Sequence, residues 1–194
     1  MASKTDICNL ALARLGTENI ISIDDDTKRA KTLKAVYDLV RDIVLADHPW
    51  NFAITRATLA LLTTAPEFGY CYAYQLPTDP FCLRVLGIVG DTAANVDPGI
   101  EYKIEGRRLL TNVSPCNIKY IARVTVEGVF TPSFCSALAL RLAAEVAYKL
   151  TGNASLKGEA MKEYQLELGK AKSQNAQEVT PEAWEDTSWA DSRL

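Results

Sequence analysis

Between Thr131 and Gly152 the chain is small or apolar at nearly every position: Phe134, Ala137, Leu138, Ala139, Leu140, Leu142, Ala143, Ala144, Val146, Ala147 and Leu150. Arg141, Glu145 and Lys149 interrupt the run at intervals of four, so they share one stripe of a helix, where such pairs contribute a few tenths of a kcal/mol each. Thr131 is an N-cap type, Pro132 fits the first helical position, and Gly152 stands where a left-handed residue stops a helix. A helix apolar on almost all sides is a buried one. The pattern therefore predicts a central helix with the other helices packed around it, its alanines permitting close approach. Three charges in a run barely long enough to cross a bilayer argue against a membrane span.

The same reading covers the rest of the chain. A first helix is predicted from about Thr5 to Leu15, with Ser3 or Thr5 as cap, Ile7, Leu10 and Ala11 on one face, and Gly16 as stop. Asp24, Asp25 and Asp26 are expected to open a second helix, at the positive end of its dipole. Its apolar face is Leu33, Val36, Tyr37, Val40, Ile43 and Val44, and Pro49 sets its end. From Ala53 to Val126 the period changes to two. Strands are predicted at Ala53–Leu62, at Tyr70–Leu76 (half-buried), at Cys82–Val89, as a hairpin turning near Gly106, and at Ile118–Val124. A polar loop runs from Gly90 to Gly99. After the central helix, Ala154–Lys172 is charged except for a stripe of Leu156, Ala160, Tyr164, Leu168 and Ala171. The predicted fold class is α+β: a helical bundle from residues 1–49 and 131–172, an inserted antiparallel β-sheet or small barrel over 50–130, and an extended C-terminal arm over 173–194.

Charge sharpens the picture at the C-terminus. Of 24 acids and 21 bases, five acids and one base fall from Ser173 onward, leaving 19 and 20 in the first 172 residues. The body is nearly neutral, and no basic block marks a nucleic-acid footprint. The arm is polar and acidic, yet holds Trp184 and Trp189, two of the three tryptophans. Aromatic anchors in such a segment point to a strap that folds onto a partner, or to docking on its own domain.

Candidate chemistry is sparse. The five cysteines lack CxxC spacing and are expected to be reduced and mostly buried, in a cytoplasmic product without a secretory signal. The single histidine, His48, has no partner cluster and is expected at a helix end; Trp50 and Phe52 are expected to anchor the junction that follows. The three aspartates lack the alternating ligands, glycine and distal glutamate of a calcium loop. Nucleophile-elbow, phosphate-loop, dinucleotide and HExxH motifs do not occur. Carboxylates are plentiful, but nothing singles out a glycosidase-like pair. No catalytic residue, cofactor or metal is assigned.

The ordered set of features carries a resemblance. Asp24-Asp25-Asp26 precedes a long helix containing Arg41-Asp42, and His48-Pro49-Trp50-Asn51-Phe52-Ala53 closes it. Tyr74-Gln75-Leu76-Pro77-Thr78-Asp79, Tyr102-Lys103-Ile104-Glu105-Gly106-Arg107, Leu109-Leu110-Thr111-Asn112 and Ile118-Lys119-Tyr120 follow in order. The alanine-rich helix ends Leu150-Thr151-Gly152, and Ser188-Trp189 lies near the C-terminus. Over nearly its whole length the chain resembles the head–tail connector (adaptor) proteins of tailed bacteriophages, the group that includes tail tubular protein A of short-tailed phages. The resemblance implies a non-enzymatic virion protein at the head–tail junction, assembled as a ring, a dodecamer in that group. Its partners would be further copies of itself, the portal protein, the downstream tail nozzle and, transiently and without sequence preference, the DNA in the channel; no membrane is involved. Carried over to this chain, the portal-binding residues are Trp184, Glu185, Asp186, Trp189 and Arg193. A connector with an added cell-wall or polysaccharide hydrolase activity is the alternative.

Overall fold

The computed structural model describes residues 2–90 and 96–177, the side chain of Asn175 excepted. Helix α1 (Lys4–Arg14) starts on a capping box: the Asp6 amide donates to Ser3 Oγ, and the Ser3 amide donates to the Asp6 carboxylate at 2.9 Å. Helix α2 (Lys28–Asp47) is capped by Thr27. The three aspartates therefore lie before this helix rather than in its first turn, a correction to the expected start. The Thr27 side chain satisfies the N-terminal amide that a carboxylate was expected to face.

Trp50 and Phe52 turn the chain from α2 into the strands. Trp50 is 1% exposed, its Nε1 donates to the Val44 carbonyl at 2.9 Å, and its ring meets Phe134 edge-on at 5.0 Å. Phe52 meets the Phe134 ring edge-on at 5.2 Å and the Phe130 ring at a tilt. The strands are β1 (Ile54–Thr58), β2 (Tyr72–Gln75), β3 (Cys82–Val89), β4 (Tyr102–Glu105), β5 (Arg108–Thr111) and β6 (Asn117–Ala122). They form two three-stranded antiparallel sheets, ordered β1-β6-β3 and β2-β5-β4. Among the described residues there is no closed barrel, so that half of the β expectation is corrected. With three strands each, the sheets bury their apolar faces by stacking, not by curling closed. The first strand stops at Thr58, and Ala60–Leu62 instead run along the outer edge of β2, where the Leu62 amide donates to the Ala73 carbonyl and the Gln75 amide to that of Ala60.

Alternation sorts the layers. Ile118, Tyr120 and Ala122 of β6 join Val85 and Ile88 of β3, and with Tyr74, Leu76 and Leu109 they fill the space between the sheets. Ile121, one position out of phase, faces the helices, as do Leu83 and Leu86. The first sheet is thus covered on both faces. So is β2, whose Ala73 and Tyr74 are both buried because segment 64–70 lies over the face opposite the core. The expected half-buried strand is corrected accordingly.

Helix α3 (Pro132–Thr151) has its predicted ends: Thr131 accepts from the Phe134 amide, and Gly152 sits at φ +71°. It contacts α1, α2 and the last helix, α4 (Ala154–Gln177). Ala137, Ala139, Ala143, Ala144 and Ala147 are all completely buried there, as the small-residue pattern requires. Arg141 pairs with Glu145 at 2.9 Å. Helix α4 turns Ala160, Tyr164, Leu168 and Ala171 inward, and Tyr164 donates to Asp47 Oδ2 at 2.6 Å, tying α4 to the end of α2. Residues 173–177 are helical, so the extended arm does not begin at 173.

Candidate functional site

Residues scattered through the ordered set meet at one joint between the layers. Arg41 in α2 is buried, with its guanidinium held by Asp38 at 3.0 Å and Asp42 at 2.9 Å. The other oxygen of Asp42 takes Arg123, just past β6, at 2.7 Å. The Arg123 guanidinium lies over the Phe81 ring, 4.3 Å from its centre, and that of Arg107 lies 4.0 Å from the same centre. Arg107, in the β4–β5 turn, donates to the carbonyls of Pro77 at 2.6 Å and Cys82 at 2.9 Å. The Arg107 carbonyl in turn accepts from the Leu76 amide and from Gln75 Nε2. Helix α2, the first sheet and the second sheet are therefore locked by one chain of charged and aromatic contacts. Guanidinium groups fit this use, since their planar forks bond carbonyls and carboxylates while the flat face stacks on a ring.

Two grooves flank this framework. One, of about 530 Å³, lies between segment 64–70 and the outer face of the second sheet, with Lys103 and Arg108 on its floor and Phe68 almost fully exposed. The other, of about 350 Å³, lies where the end of α2, the first sheet and the end of α4 meet. Pro49, Ile54, Leu86, Val96 and Ala176 give it apolar walls, and Lys119 and Lys172 add positive charge.

Among the described residues the reactive side-chain types do not cluster in either groove, although His48 borders the one at the end of α4. His48 caps the C-terminal end of α2, buried edge-on against Trp50. Burial holds its pKa below the ordinary value, helped by the charges of Lys172 and Arg84. Location at a helix end was expected, but desolvation outweighs the dipole that would have raised the pKa. Burial pushes the thiols up, Cys8 to about 12 and Cys116 to about 11, with Cys82 and Cys135 also raised, so thiolate is scarce at neutral pH. Cys71 alone of the five is exposed. The aspartate triplet diverges: Asp24 pairs with Lys34, Asp25 accepts from the amides of Ile21 and Ser22, and Asp26 pairs with Lys31. Among the described residues no group of three His, Cys, Asp or Glu is placed to hold a metal ion, and no helix is long and apolar enough to cross a membrane.

Trp184, Glu185, Asp186, Trp189 and Arg193, singled out from the sequence, lie outside the described residues. The joint, conversely, escaped sequence reasoning: Arg41, Phe81, Arg107 and Arg123 span 83 positions, and no local period links them. Compared with models of known protein families and with curated proteins, the chain matches none.

Proposed function

We propose that this chain is a structural virion protein: a head–tail adaptor that forms a ring, a dodecamer, between the portal and the tail nozzle and lines the DNA channel. Its helices form a bundle into which the β-rich region is inserted, and its C-terminal arm grips the portal through Trp184 and Trp189, aided by Glu185, Asp186 and Arg193. The observation that carries the reading is the ordered residue set together with where its members lie. Arg41-Asp42, Gln75-Leu76-Pro77 and Arg107 meet in a joint that stiffens the subunit, and do not surround a reactive cavity. A ring subunit under mechanical load needs interlocked layers more than it needs a catalytic centre. A nearly neutral body suits a wall that DNA slides past, since few phosphate contacts form to hold it.

Negative-stain microscopy of the purified chain with and without portal complexes tests this. Rings on portal vertices are expected, and truncation after Gln177 should abolish them while leaving the folded body intact. A chain that ignores portal vertices would refute the reading. The inserted β-rich region, residues 50–130, is assigned to face the nozzle or a neighbouring subunit, and its Gly90–Gly99 loop, of which residues 91–95 lie outside the described structure, is the place to test this. Charged substitutions there should block tail addition, and normal virion assembly would exclude the assignment.

A further inference from the structure

The groove at the end of α4 has features that a structural wall does not call for. Its walls are apolar, from Pro49, Ile54, Leu86, Val96 and Ala176, and about 350 Å³ is room for one large side chain. Lys119 and Lys172 line it, and the field of Arg84 and Lys172 reaches His48 at the same place. Among the described residues, none of these three cations is paired with a carboxylate. An apolar hollow with unpaired positive charge fits an aromatic side chain flanked by acids.

The chain carries such a segment, and carries it close by. Ala176 is itself part of the groove wall, and helix α4 ends one residue later. The 17 residues beyond are acidic, with Glu178, Glu182, Glu185, Asp186 and Asp191. Trp184 is seven residues past Gln177, a reach of at most about 23–25 Å, ample to double back to a groove that begins at the helix end. Its neighbours are Glu182, Glu185 and Asp186, whereas Trp189 lies between Ser188 and Ala190. We infer that in the free chain the segment 178–194 folds back so that Trp184 fills this groove, with Glu185 and Asp186 meeting Lys119 and Lys172. The contact stows the arm: any partner that uses Trp184 must first draw it out, and occupying the groove competes with that partner. This does not rest on the adaptor reading, since it concerns the chain alone.

Two measurements on the full chain test it. In a Trp189→Phe background, only buried Trp50 and Trp184 emit, and acrylamide reports Trp184. Stowed, Trp184 should be quenched several-fold less than in the same chain carrying Lys119→Glu and Lys172→Glu. By hydrogen exchange, amides of 48–54, 84–88 and 117–121 should lose several-fold protection on Trp184→Ala, a change in the arm that leaves the core sequence intact should the charge reversals impair folding. Quenching equal to that of a free indole in the unreversed chain, or protection unaltered by Trp184→Ala, overturns the inference. Protection that disappears on dilution also overturns it, because the arm would then be docking on a second copy.

Discussion

Replacing Gly87 by alanine offers the sharpest check on how the groove wall is built. Gly87 lies in β3 at φ +156°, beside a register shift in its pairing with β6. An alanine Cβ there would fall inside the van der Waals envelope of Val96 Cγ1, with Val96 Cβ and Cγ2 both at 3.3 Å. Two costs add. The backbone conformation is one that side-chain-bearing residues rarely adopt, at about 1–3 kcal/mol. Forcing Val96 away from a packed position costs about 1–3 kcal/mol more. Gly87→Ala should therefore destabilise the chain by about 2–6 kcal/mol, a large share of the ~5–15 kcal/mol usual for a domain. Urea unfolding followed by circular dichroism would show this as a lower midpoint at unchanged slope. The steric and conformational parts separate in a double-mutant cycle. Val96→Ala removes both γ-carbons and should return about 1–2 kcal/mol of the Gly87→Ala loss, leaving the backbone strain. A Gly87→Ala effect below about 0.5 kcal/mol, or strict additivity with Val96→Ala, would refute the proposed contact.

Other outcomes follow from single groups. The Tyr37 hydroxyl is buried and has no hydrogen-bond partner among the described residues, so Tyr37→Phe should raise stability by about 1 kcal/mol in thermal or urea unfolding. Burial holds the folded pKa of His48 below the ordinary histidine value of about 6.5, so the unfolded chain binds the proton first as pH falls. Stability is then full above about 6.5 and declines below it, down to the folded pKa; His48→Gln should flatten unfolding midpoints measured between pH 7 and 5. Phe81→Leu removes the ring shared by Arg107 and Arg123 and should cost about 1–2 kcal/mol, two partly exposed cation–π contacts, while the Arg123–Asp42 pair survives. A cost no larger than that of a neutral surface change would mean the stacking contributes nothing.

What the sequence determined alone was local and periodic. The α3 cap at Thr131, its stop at Gly152 and its buried alanines follow from adjacent residues and a 3.6 period, because caps and amphipathic faces are decided within a turn or two. Strand β3 and the hairpin at Gly106 were legible for the same reason. Four features needed the tertiary structure. Asp24–Asp26 looked like a helix start because a dipole favours acids there, yet Thr27 supplies the cap and lysines take two of the carboxylates. Strand β2 has one face in the core between the sheets and the other under segment 64–70, whose path no period announces. The Arg41–Asp42–Arg123–Phe81–Arg107 joint and the groove at the end of α4 unite residues dozens of positions apart. Such contacts exist only once the sheets have stacked and α3 has fixed the helices around them. Periodicity tells each residue which face it occupies; only closure of the whole chain tells it which neighbour it meets.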